Sequence, residues 1–248
     1  MLTTVDADIR LFIPSGDIEG DPALISSDVR TLFRRWTRLA VAEHWVLAHL
    51  GQSVDGRIAT QSGHSHYIGG PESLVHLHRL RALADAVVVG GATVALDQPR
   101  LTTRHVEGAD PRRVVIDRRG RLSVETPLFD DGLGPVTVFG ESGRDDLPDQ
   151  VEAIALGPDF GPQEVIDALR VRGFNRVLVE GGGQTVSGFL EAGTLDFLQL
   201  AVAPLIIGSG RSSIELPVIE RLDDARRPPT RTELLGNDVL FDFDLAEP

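Results

Sequence analysis

One stretch of the chain, Arg176 to Thr185, joins a short apolar run to three consecutive glycines and then to a new periodic pattern. Arg176 to Val179 predicts a buried strand, and Val186, Phe189 and Leu190 recur at helical spacing. The glycines therefore lie at a strand-to-helix turn, where unpaired backbone N–H groups at the helix start favour an anion such as phosphate. A glycine-rich connection that binds nothing remains the alternative, because isolated glycine motifs recur by chance.

The order of a strand followed by a helix repeats along the chain, and this repetition predicts the fold class. Compact apolar runs of strand length alternate with segments of helical periodicity, and a helix is expected to start at Pro71 and carry Leu74, Leu77, Leu80 and Leu83. We expect a three-layer α/β fold with a central, mostly parallel twisted sheet. The end of the chain predicts an antiparallel hairpin around residues 236–238. The predicted strands are residues 45–50, 86–89, 114–116, 136–139, 151–156, 176–179, 195–202, 231–235 and 239–243.

One domain preceded by an N-terminal arm is expected. Residues 1–42 carry an acidic lead with prolines and glycines at positions 14, 16, 20 and 22. A helix is predicted to follow, with Ser26 or Ser27 as its cap and an apolar stripe of Val29, Leu32, Phe33 and Trp36. We interpret this segment as an arm that packs on the main domain or on a partner subunit. Residues 43–248 then form the main domain.

Composition excludes several classes of function. The formal net charge of −13 disfavours nucleic acid and anionic membranes as partners. The absence of cysteine rules out disulfides, thiolate zinc sites and cysteine nucleophiles. No apolar run approaches the ~18 residues of a membrane span, and the N-terminus lacks the pattern of a signal peptide, so the cytoplasm is the expected location.

Three loops that follow predicted strands are rich in glycine or charge, namely residues 51–70, 90–104 and 180–185. Loops after parallel strands lie along one edge of a sheet, so these three are expected to line one cleft. Ser65, Arg81, Arg100 and Arg104 lie in or next to them, and arginine forks match phosphate well. For any single arginine, a solvated or carboxylate-paired role is the competing interpretation.

Other site chemistries fit poorly. His76 and His78 stand two positions apart on a predicted helix and point to different sides, so they cannot easily chelate one metal ion. A nucleophile elbow around Ser65 lacks its closing glycine. The late triple glycine does not match the dinucleotide fingerprint of a Rossmann fold. No metal site is expected.

Several motifs together resemble the reductase domain of riboflavin biosynthesis, the RibD C-terminal family, which has a dihydrofolate reductase-like fold. The resemblance covers about residues 44–243, and the order and spacing of the motifs agree. The motifs are Gln52 to Ala59, Ser62 to Ser65, Leu80 to Ala82, Asp85 to Thr93, Asp97 to Arg104, and the run from Val177 to Gly183 that continues through Phe189, Leu190, Asp196, Ala203 and Pro204 to Gly208.

That resemblance implies an NADPH-dependent oxidoreductase, usually a homodimer. Its expected reaction reduces 5-amino-6-(5-phosphoribosylamino)uracil to the ribitylamino product, with hydride transfer to ribose C1′. In bifunctional relatives a zinc deaminase precedes the reductase. This sequence has no cysteine and no matching zinc motif, so deamination is excluded here.

The resemblance also implies roles for individual residues. Asp97 and Glu180 are the expected catalytic pair: they hold the ribose hydroxyls and the pyrimidine amide edge, and Asp97 assists protonation or imine formation. The expected substrate contacts are Ser65, Arg81, Arg100, Leu101 and Arg104. The expected cofactor contacts are Gly90, Thr93, Asp117, Arg118, Gly181, Gly182, Gly183, Gln184 and Thr185.

Four positions depart from the family pattern. The family often has lysine where His49 stands, threonine where Gly69 stands, a second aspartate at Gln98 and a small residue at Arg100. These changes leave open a same-fold reductase of another heterocycle such as a pterin. A non-catalytic nucleotide-binding protein, in which the N-terminal arm serves assembly, is a further alternative.

Overall fold

The protein is described by a computed structural model that covers residues 2–6, 9–12, 18–20, 36–66 and 68–246. A nine-stranded sheet forms its centre, with the strand order β13 (Thr230–Leu235), β14 (Asp238–Asp244), β11 (Phe197–Ala203), β4 (Trp45–Ser53), β10 (Arg176–Glu180), β6 (Ala86–Gly90), β7 (Arg112–Ile116), β8 (Val136–Gly140) and β9 (Val151–Ala155). Seven neighbouring strands, from β11 to β9, run parallel. Strand β14 pairs antiparallel with β11 and with β13, as the hairpin prediction required. The α/β fold with a mostly parallel sheet is confirmed.

The bounds of the elements agree with the predicted pattern, with some additions. The strands are β4 Trp45–Ser53, β5 Arg57–Thr60, β6 Ala86–Gly90, β7 Arg112–Ile116, β8 Val136–Gly140, β9 Val151–Ala155, β10 Arg176–Glu180, β11 Phe197–Ala203, β12 Gly210–Ser212, β13 Thr230–Leu235 and β14 Asp238–Asp244. The helices are α1 (residues 36–41), α2 Pro71–Leu83, α3 Gly91–Asp97, α4 Pro162–Val171 and α5 Gly183–Glu191. The sequence did not predict β5, β12 or α3. Strands β5 and β12 pair with each other in a separate two-stranded sheet.

Layers of helix cover both faces of the sheet. On one face, Leu47 and Leu178 pack with Leu80 and Leu83 of α2. On the other, alternate strand residues pack with α4 and α5 through Val165, Ile166, Leu169, Val186, Phe189 and Leu190. Because both faces are covered, the central strands read as continuous runs of Val, Leu and Ala rather than alternating patterns. The three-layer architecture follows from this packing.

The predicted arm lies only partly within the described residues. Leu2–Asp6, Ile9–Phe12 and Ile18–Gly20 form the antiparallel sheet β1-β2-β3, which the sequence did not predict. The beginning of the predicted helix, residues 26–35, lies outside the described part. Residues 36–41 are helical, and Trp36, Leu39 and Ala40 are buried in the core on the α2 face. The end of the arm thus packs on the main domain, while a domain boundary at residue 42 stays a prediction.

Helix α2 differs most from its predicted character. The expected leucine stripe is incomplete, since Leu74 is exposed and Leu77 is only partly buried. Ser73, His76, His78 and Arg81 are buried instead. A helix buries polar side chains only where they find partners, and each of these four faces another polar group or ring across the interface. The periodicity located the helix correctly, but the leucines did not identify its buried face.

Candidate active site

A cavity of about 770 Å³ opens at the carboxyl edge of the parallel strands. The loop after β5, helix α2 and the ends of β4 and β10 enclose it. Its lining includes the predicted residues Ser65, Asp97, Glu180, Gly181 and Gly182. The structure therefore brings together the two predicted catalytic carboxylates, one predicted substrate residue and the start of the glycine turn. The carboxyl edge of an open α/β sheet is the usual place for a ligand.

Glu180 ends β10 and is held by a buried ion pair with Arg81 of α2. The guanidinium donates two parallel hydrogen bonds to the carboxylate, Nε to Oε1 at 2.7 Å and Nη2 to Oε2 at 2.6 Å, and both residues are 6% exposed. A third bond from Arg81 Nη1 reaches the Thr102 carbonyl oxygen at 3.0 Å. Burial lowers the pKa of Arg81, but the charge and hydrogen bonds of Glu180 outweigh this and raise the pKa above its ordinary value. Arg81 therefore stays charged and serves first to fix Glu180.

The guanidinium group of Arg104 lies near this pair, and Arg104 is exposed whereas Arg81 is buried. Its Nη1 donates to Thr102 Oγ1 at 2.9 Å, so Thr102 links Arg104 to Arg81 and Glu180. Partial burial and the nearby charges of Arg81 and Arg100 lower the pKa of Arg104 below its ordinary value. Three guanidinium groups in one region of a strongly acidic protein form a local positive field that favours an anion.

The loop that carries these cations has an unusual backbone. Gln98 and Leu101 have positive φ angles of 44° and 59°, a conformation that non-glycine residues seldom adopt. Leu101 is 1% exposed and belongs to the core on the α2 face. Its side chain anchors the loop, and a contact with substrate, as expected from the resemblance, stays a prediction. Arg100 is exposed on the same loop.

Asp97 and Ser65 meet at the mouth of the cavity. Ser65 Oγ donates to Asp97 Oδ1 at 3.2 Å, which joins the loop after β5 to the end of α3. Asp97 is exposed, so one carboxylate oxygen remains open to the cavity for a ligand hydroxyl or proton. The two predicted catalytic carboxylates thus differ: Glu180 is buried and paired with arginine, and Asp97 is accessible.

The glycine turn after β10 is built against the turn after β6, its neighbour in the sheet. Thr93 Oγ1 accepts a hydrogen bond from the Gly182 N–H at 2.8 Å. Gly181 has a φ of +116°, which only glycine adopts readily, and a Cβ at Gly90 would lie 2.5 Å from Thr185 Oγ1. Helix α5 starts at Gly183 without a side-chain cap. The Gly182 N–H is thus taken by Thr93, and the uncapped start of α5 is the feature that fits the phosphate groups of a dinucleotide. Gln184 is exposed in the first turn.

Asp117 and Arg118, at the end of β7, are engaged with neighbouring protein groups. Asp117 is buried and accepts hydrogen bonds from the Arg121 and Leu122 N–H groups, both at 2.9 Å. Arg118 donates to the carbonyl oxygens of Pro158 and Phe160, and its guanidinium lies 4.2 Å from the centre of the Phe160 ring. Cofactor contacts at these two residues stay a prediction.

Sequence reasoning singled out His49 as a departure from the family pattern, but it missed the polar group behind the cavity to which His49 belongs. His49 lines the cavity, the ring of His76 lies 5.5 Å from its ring, and His76 Nε2 contacts Gln199 Oε1 at 2.8 Å. His78, two residues further along α2, accepts the Arg104 N–H through Nδ1 at 2.8 Å. The two histidines of α2 therefore face different partners, as their spacing predicted. Histidines set within a leucine-rich helix were the available signal, because such a pattern marks polar residues in a buried position.

Among the described residues, no cluster of three or more His, Cys, Asp or Glu side chains suits a metal ion. Within the same part of the chain, no helix is long and apolar enough to span a membrane.

The fold and the cleft define a class of protein, the dihydrofolate reductase-like reductases, in which a nicotinamide cofactor is expected. Comparison with known proteins then identifies the family: the model of the RibD C-terminal domain matches residues 44–241, and the chain belongs to that family.

Individual relatives agree with this assignment. The chain is 30% identical over 210 residues to a 2,5-diamino-6-ribosylamino-4(3H)-pyrimidinone 5′-phosphate reductase of Methanothermobacter thermautotrophicus, covering 80% of this chain and 97% of that protein. A protein of the same description from Archaeoglobus fulgidus is 30% identical over 184 residues, which are 68% of this chain and 84% of that one.

A solved structure from Thermotoga maritima, a diaminohydroxyphosphoribosylaminopyrimidine deaminase/5-amino-6-(5-phosphoribosylamino)uracil reductase, superposes with a TM-score of 0.73 at 28% identity. The match covers 89% of this chain but only 62% of that longer one. A riboflavin biosynthesis reductase of Saccharomyces cerevisiae shares the fold, with a TM-score of 0.67 at 21% identity over 88% of this chain and 99% of that one.

Proposed function

We propose that this protein is an NADPH-dependent reductase of riboflavin biosynthesis, and that it reduces 5-amino-6-(5-phosphoribosylamino)uracil at ribose C1′. One observation carries the proposal. A single cavity contains an accessible carboxylate, Asp97, a buried arginine-paired carboxylate, Glu180, and the start of the glycine turn. This arrangement lets a sugar and a nicotinamide meet, and relatives of the same family are named as reductases of such compounds.

The substrate phosphate is assigned to Arg104 and Arg100, with Ser65 at the mouth of the cleft. Arg104 has the partially desolvated, cation-crowded environment that an incoming phosphate relieves. Arg81 contributes its charge to the same region while its hydrogen bonds hold Glu180. Glu180 and Asp97 are assigned to the neutral part of the substrate, where they would bind the ribose hydroxyls and the amide edge of the pyrimidine.

The cofactor is assigned to the edge formed by the turns after β6 and β10. Gly90, Thr93 and residues 181–185 would contact its phosphates, and Asp117 and Arg118 its adenosine ribose. The preference for NADPH rests on Arg118, because arginine is the usual partner of the 2′-phosphate. A comparison of KM for NADPH and NADH tests this preference.

The chemistry consists of ring opening followed by reduction. The C1′–O4′ bond of the ribosylamine breaks, C1′ forms a double bond to the exocyclic nitrogen, and the proton lost by nitrogen goes to O4′. When bound, NADPH supplies the hydride that adds to C1′, and the nitrogen takes a proton. We assign these proton transfers to Asp97, and the assignment is supported by its exposure and by the hydrogen bond that Ser65 donates to its carboxylate. The protein otherwise aligns the two reactants and excludes water.

A substrate panel tests the proposal. The relatives act on pyrimidines that differ at C2, a 2-amino group in the archaeal proteins and a 2-oxo group in the Thermotoga protein. Both compounds should be offered with NADPH, and nicotinamide absorbance followed. Loss of absorbance with the phosphorylated uracil is the expected result, and no loss with either compound would contradict the proposal.

A pterin reductase is the second candidate. Gly69 and His49 both line the cavity, where the family often has threonine and lysine, and both changes alter the groups offered to a heterocycle. A dihydropterin in the same panel separates the two activities: turnover of the pterin alone would favour the second candidate.

A further inference from the structure

Helix α2 holds the loop that follows α3 through two side chains that lie about one turn apart. Arg81 Nη1 donates to the Thr102 carbonyl oxygen at 3.0 Å, and His78 Nδ1 accepts the Arg104 N–H at 2.8 Å. Residues three apart on a helix lie on the same side of it. The same face of α2 therefore holds both Glu180 and the loop that carries Arg104.

The backbone of this loop is one that needs support from outside. Leu101 is buried and has a φ of 59°, in the left-handed region that non-glycine residues seldom adopt. Such a conformation persists only where the surrounding structure holds it. Further along, a Cβ at Gly108 would lie 2.5 Å from the Ala82 Cβ, so the loop runs directly against α2. Contacts with α2 thus help to set the conformation of residues 101–108.

The hydrogen bond from Arg104 defines the protonation state of the His78 ring. A backbone N–H only donates, so Nδ1 must be unprotonated, and the neutral ring carries its proton on Nε2. Burial, followed by the charges of Arg81, Arg104 and His105, lowers the pKa of His78 from 6.5 to about 3. The ring is therefore neutral at neutral pH, and the acceptor at Nδ1 is present there.

The other nitrogen of His78 shows why the contact at Nδ1 matters. The residue is 0% exposed, and Nε2 has no hydrogen-bond partner among the described residues. The ring of His105 packs against it, with 4.6 Å between the centroids and 74° between the planes. A buried nitrogen without a hydrogen bond is costly, so a histidine is a poor choice for packing alone. The bond accepted at Nδ1 is what the histidine contributes and an apolar side chain could not.

Arg104 is thereby held at both of its ends. His78 binds its backbone N–H, and the hydroxyl of Thr102 accepts from its Nη1 at 2.9 Å. A free arginine side chain loses rotamer freedom when it binds a ligand, and a side chain that is already held loses less. The contact between α2 and the loop therefore prepares the guanidinium for an anion.

We propose that His78 is a positioning residue for substrate binding: by accepting the Arg104 N–H, it holds the Arg104 guanidinium where the substrate phosphate meets it. The phosphate is assigned to Arg104 in the proposed function, on which this inference rests. His78 is fully buried, so it acts through Arg104 rather than by touching the substrate.

Steady-state kinetics test this role. His78→Leu removes the acceptor and keeps a side chain of similar volume, so KM for the phosphorylated pyrimidine should rise about tenfold. A phosphate contact is made in the ground state and in the transition state alike, so kcat should stay within about twofold of the wild type. KM for NADPH should also stay within about twofold. If the wild type reduces the pyrimidine and His78→Leu keeps its KM, the positioning role is wrong and the proposed function still stands.

His78→Asn is the conservative variant. Asparagine carries Oδ1 on the carbon that in histidine carries Nδ1, so it can accept the same N–H, and KM should return to within about threefold of the wild type. The control is Asp196→Ala, which removes the acceptor of the Val46 N–H at the amino edge of the sheet. This variant should keep the wild-type KM. A rise in Asp196→Ala as large as that in His78→Leu, or no recovery in His78→Asn, would overturn the positioning role.

Binding of ribose 5-phosphate separates the positioning role from the proposed reaction. By calorimetry, its Kd should rise about tenfold in His78→Leu and less than about threefold in His78→Asn, whether or not any pyrimidine is reduced. Such a change without any reduction of a pyrimidine would contradict the proposed function alone. An unchanged Kd in His78→Leu, or no binding to the wild type, would overturn the positioning role.

The imidazole ¹⁵N spectrum at neutral pH gives a second readout that does not depend on activity. It should show His78 as the neutral ring with its proton on Nε2, and the signal is assigned by its loss in His78→Asn. A ring protonated on Nδ1 could not accept the Arg104 N–H, so that result would overturn the positioning role as well.

Discussion

At the scale of single side chains, the cleft contains two kinds of arginine. Arg81 donates two parallel hydrogen bonds to the Glu180 carboxylate and a third to the Thr102 carbonyl oxygen. The Arg104 guanidinium, by contrast, donates to the carbonyl oxygen and the hydroxyl of Thr102, and other cations lie near it. The sequence alone could not separate them, because both are single arginines near a glycine-rich loop. Their difference arises from a residue distant in the chain, Glu180, which pairs with Arg81.

Arg104→Ala is predicted to weaken binding of the phosphorylated pyrimidine far more than binding of NADPH. Loss of a charge-assisted contact to phosphate costs about 1.5–3 kcal/mol, which corresponds to roughly a 10- to 150-fold rise in KM. Arg172→Ala is the matched control, since Arg172 pairs with Glu152 on another surface. An equal loss of both ligands in Arg104→Ala would contradict the division of the cleft into substrate and cofactor sides.

His78 is predicted to make stability depend on pH. Burial, followed by the charges of Arg81, Arg104 and His105, lowers its pKa from 6.5 to about 3. Between these values the unfolded chain binds a proton that the folded protein does not, so stability falls as pH falls below about 6.5. The contribution is at most about 1.4 kcal/mol per pH unit.

Denaturant unfolding between about pH 7 and about pH 5 measures this slope. His78→Gln should flatten it, and His44→Gln, at an exposed position, should not. A slope that survives unchanged in His78→Gln would show that other groups cause it.

At the scale of elements, the sequence predicted most of the sheet because buried parallel strands appear as compact apolar runs. It missed β5 and β12, since residues 57–60 and 210–212 contain Gly, Ser, Thr and Arg, which mark a loop as readily as a short strand. For α2, the leucines predicted a helix but not its buried face. Its polar face is set by Asp238, Gln199 and Glu180, which lie on other strands.

The cap of α2 shows the same dependence on distant sequence. The helix begins after Gly70, which has no side chain with which to cap it. Asp238, from the turn of the C-terminal hairpin, accepts the Gly70 N–H at 2.7 Å and the Ser73 hydroxyl at 2.5 Å. Local sequence therefore predicted the start of the helix from Pro71 but not the carboxylate that stabilises this start. The cap also belongs to the candidate site, because Gly70 and Ser73 both line the cavity.

The glycine turn yields the prediction at this scale. Thr93→Val keeps the shape of the side chain and removes the acceptor of the Gly182 N–H. An unsatisfied N–H and a loosened turn should cost about 1–2 kcal/mol of NADPH binding free energy. KM for NADPH should therefore rise roughly 5- to 30-fold, with little change in KM for the pyrimidine. Thr194→Val, at the other end of α5, removes a comparable hydroxyl that donates to the Phe189 carbonyl oxygen. Thr194→Val should have wild-type kinetics, and an effect equal to that of Thr93→Val would point to α5 as a whole.

At the scale of the whole molecule, the segment that joins β11 to β13 along the chain carries several exposed apolar side chains. Ile206, Val218 and Leu222 are 76%, 95% and 77% exposed. Burial of such side chains against a second copy of the chain would be favourable. The family resemblance and these side chains together lead us to predict a homodimer.

Sedimentation should give twice the 26.8 kDa of one chain. Val218→Asp is expected to shift the protein toward the monomer, because a charge in an apolar contact is costly. Val171→Asp, at an 85% exposed position on α4, should not shift it. A monomeric wild type, or equal dissociation by both variants, would contradict the prediction.

The whole account depends on a sugar carbon and a nicotinamide meeting in the cavity between Asp97 and Glu180. The most direct measurement uses NADPH deuterated at C4 of the nicotinamide with the phosphorylated uracil substrate, followed by mass and NMR analysis of the product. The account predicts one deuterium per product molecule, located at C1′ of the ribityl chain. Deuterium at a ring carbon, or oxidation of the cofactor without any label in the product, would contradict it.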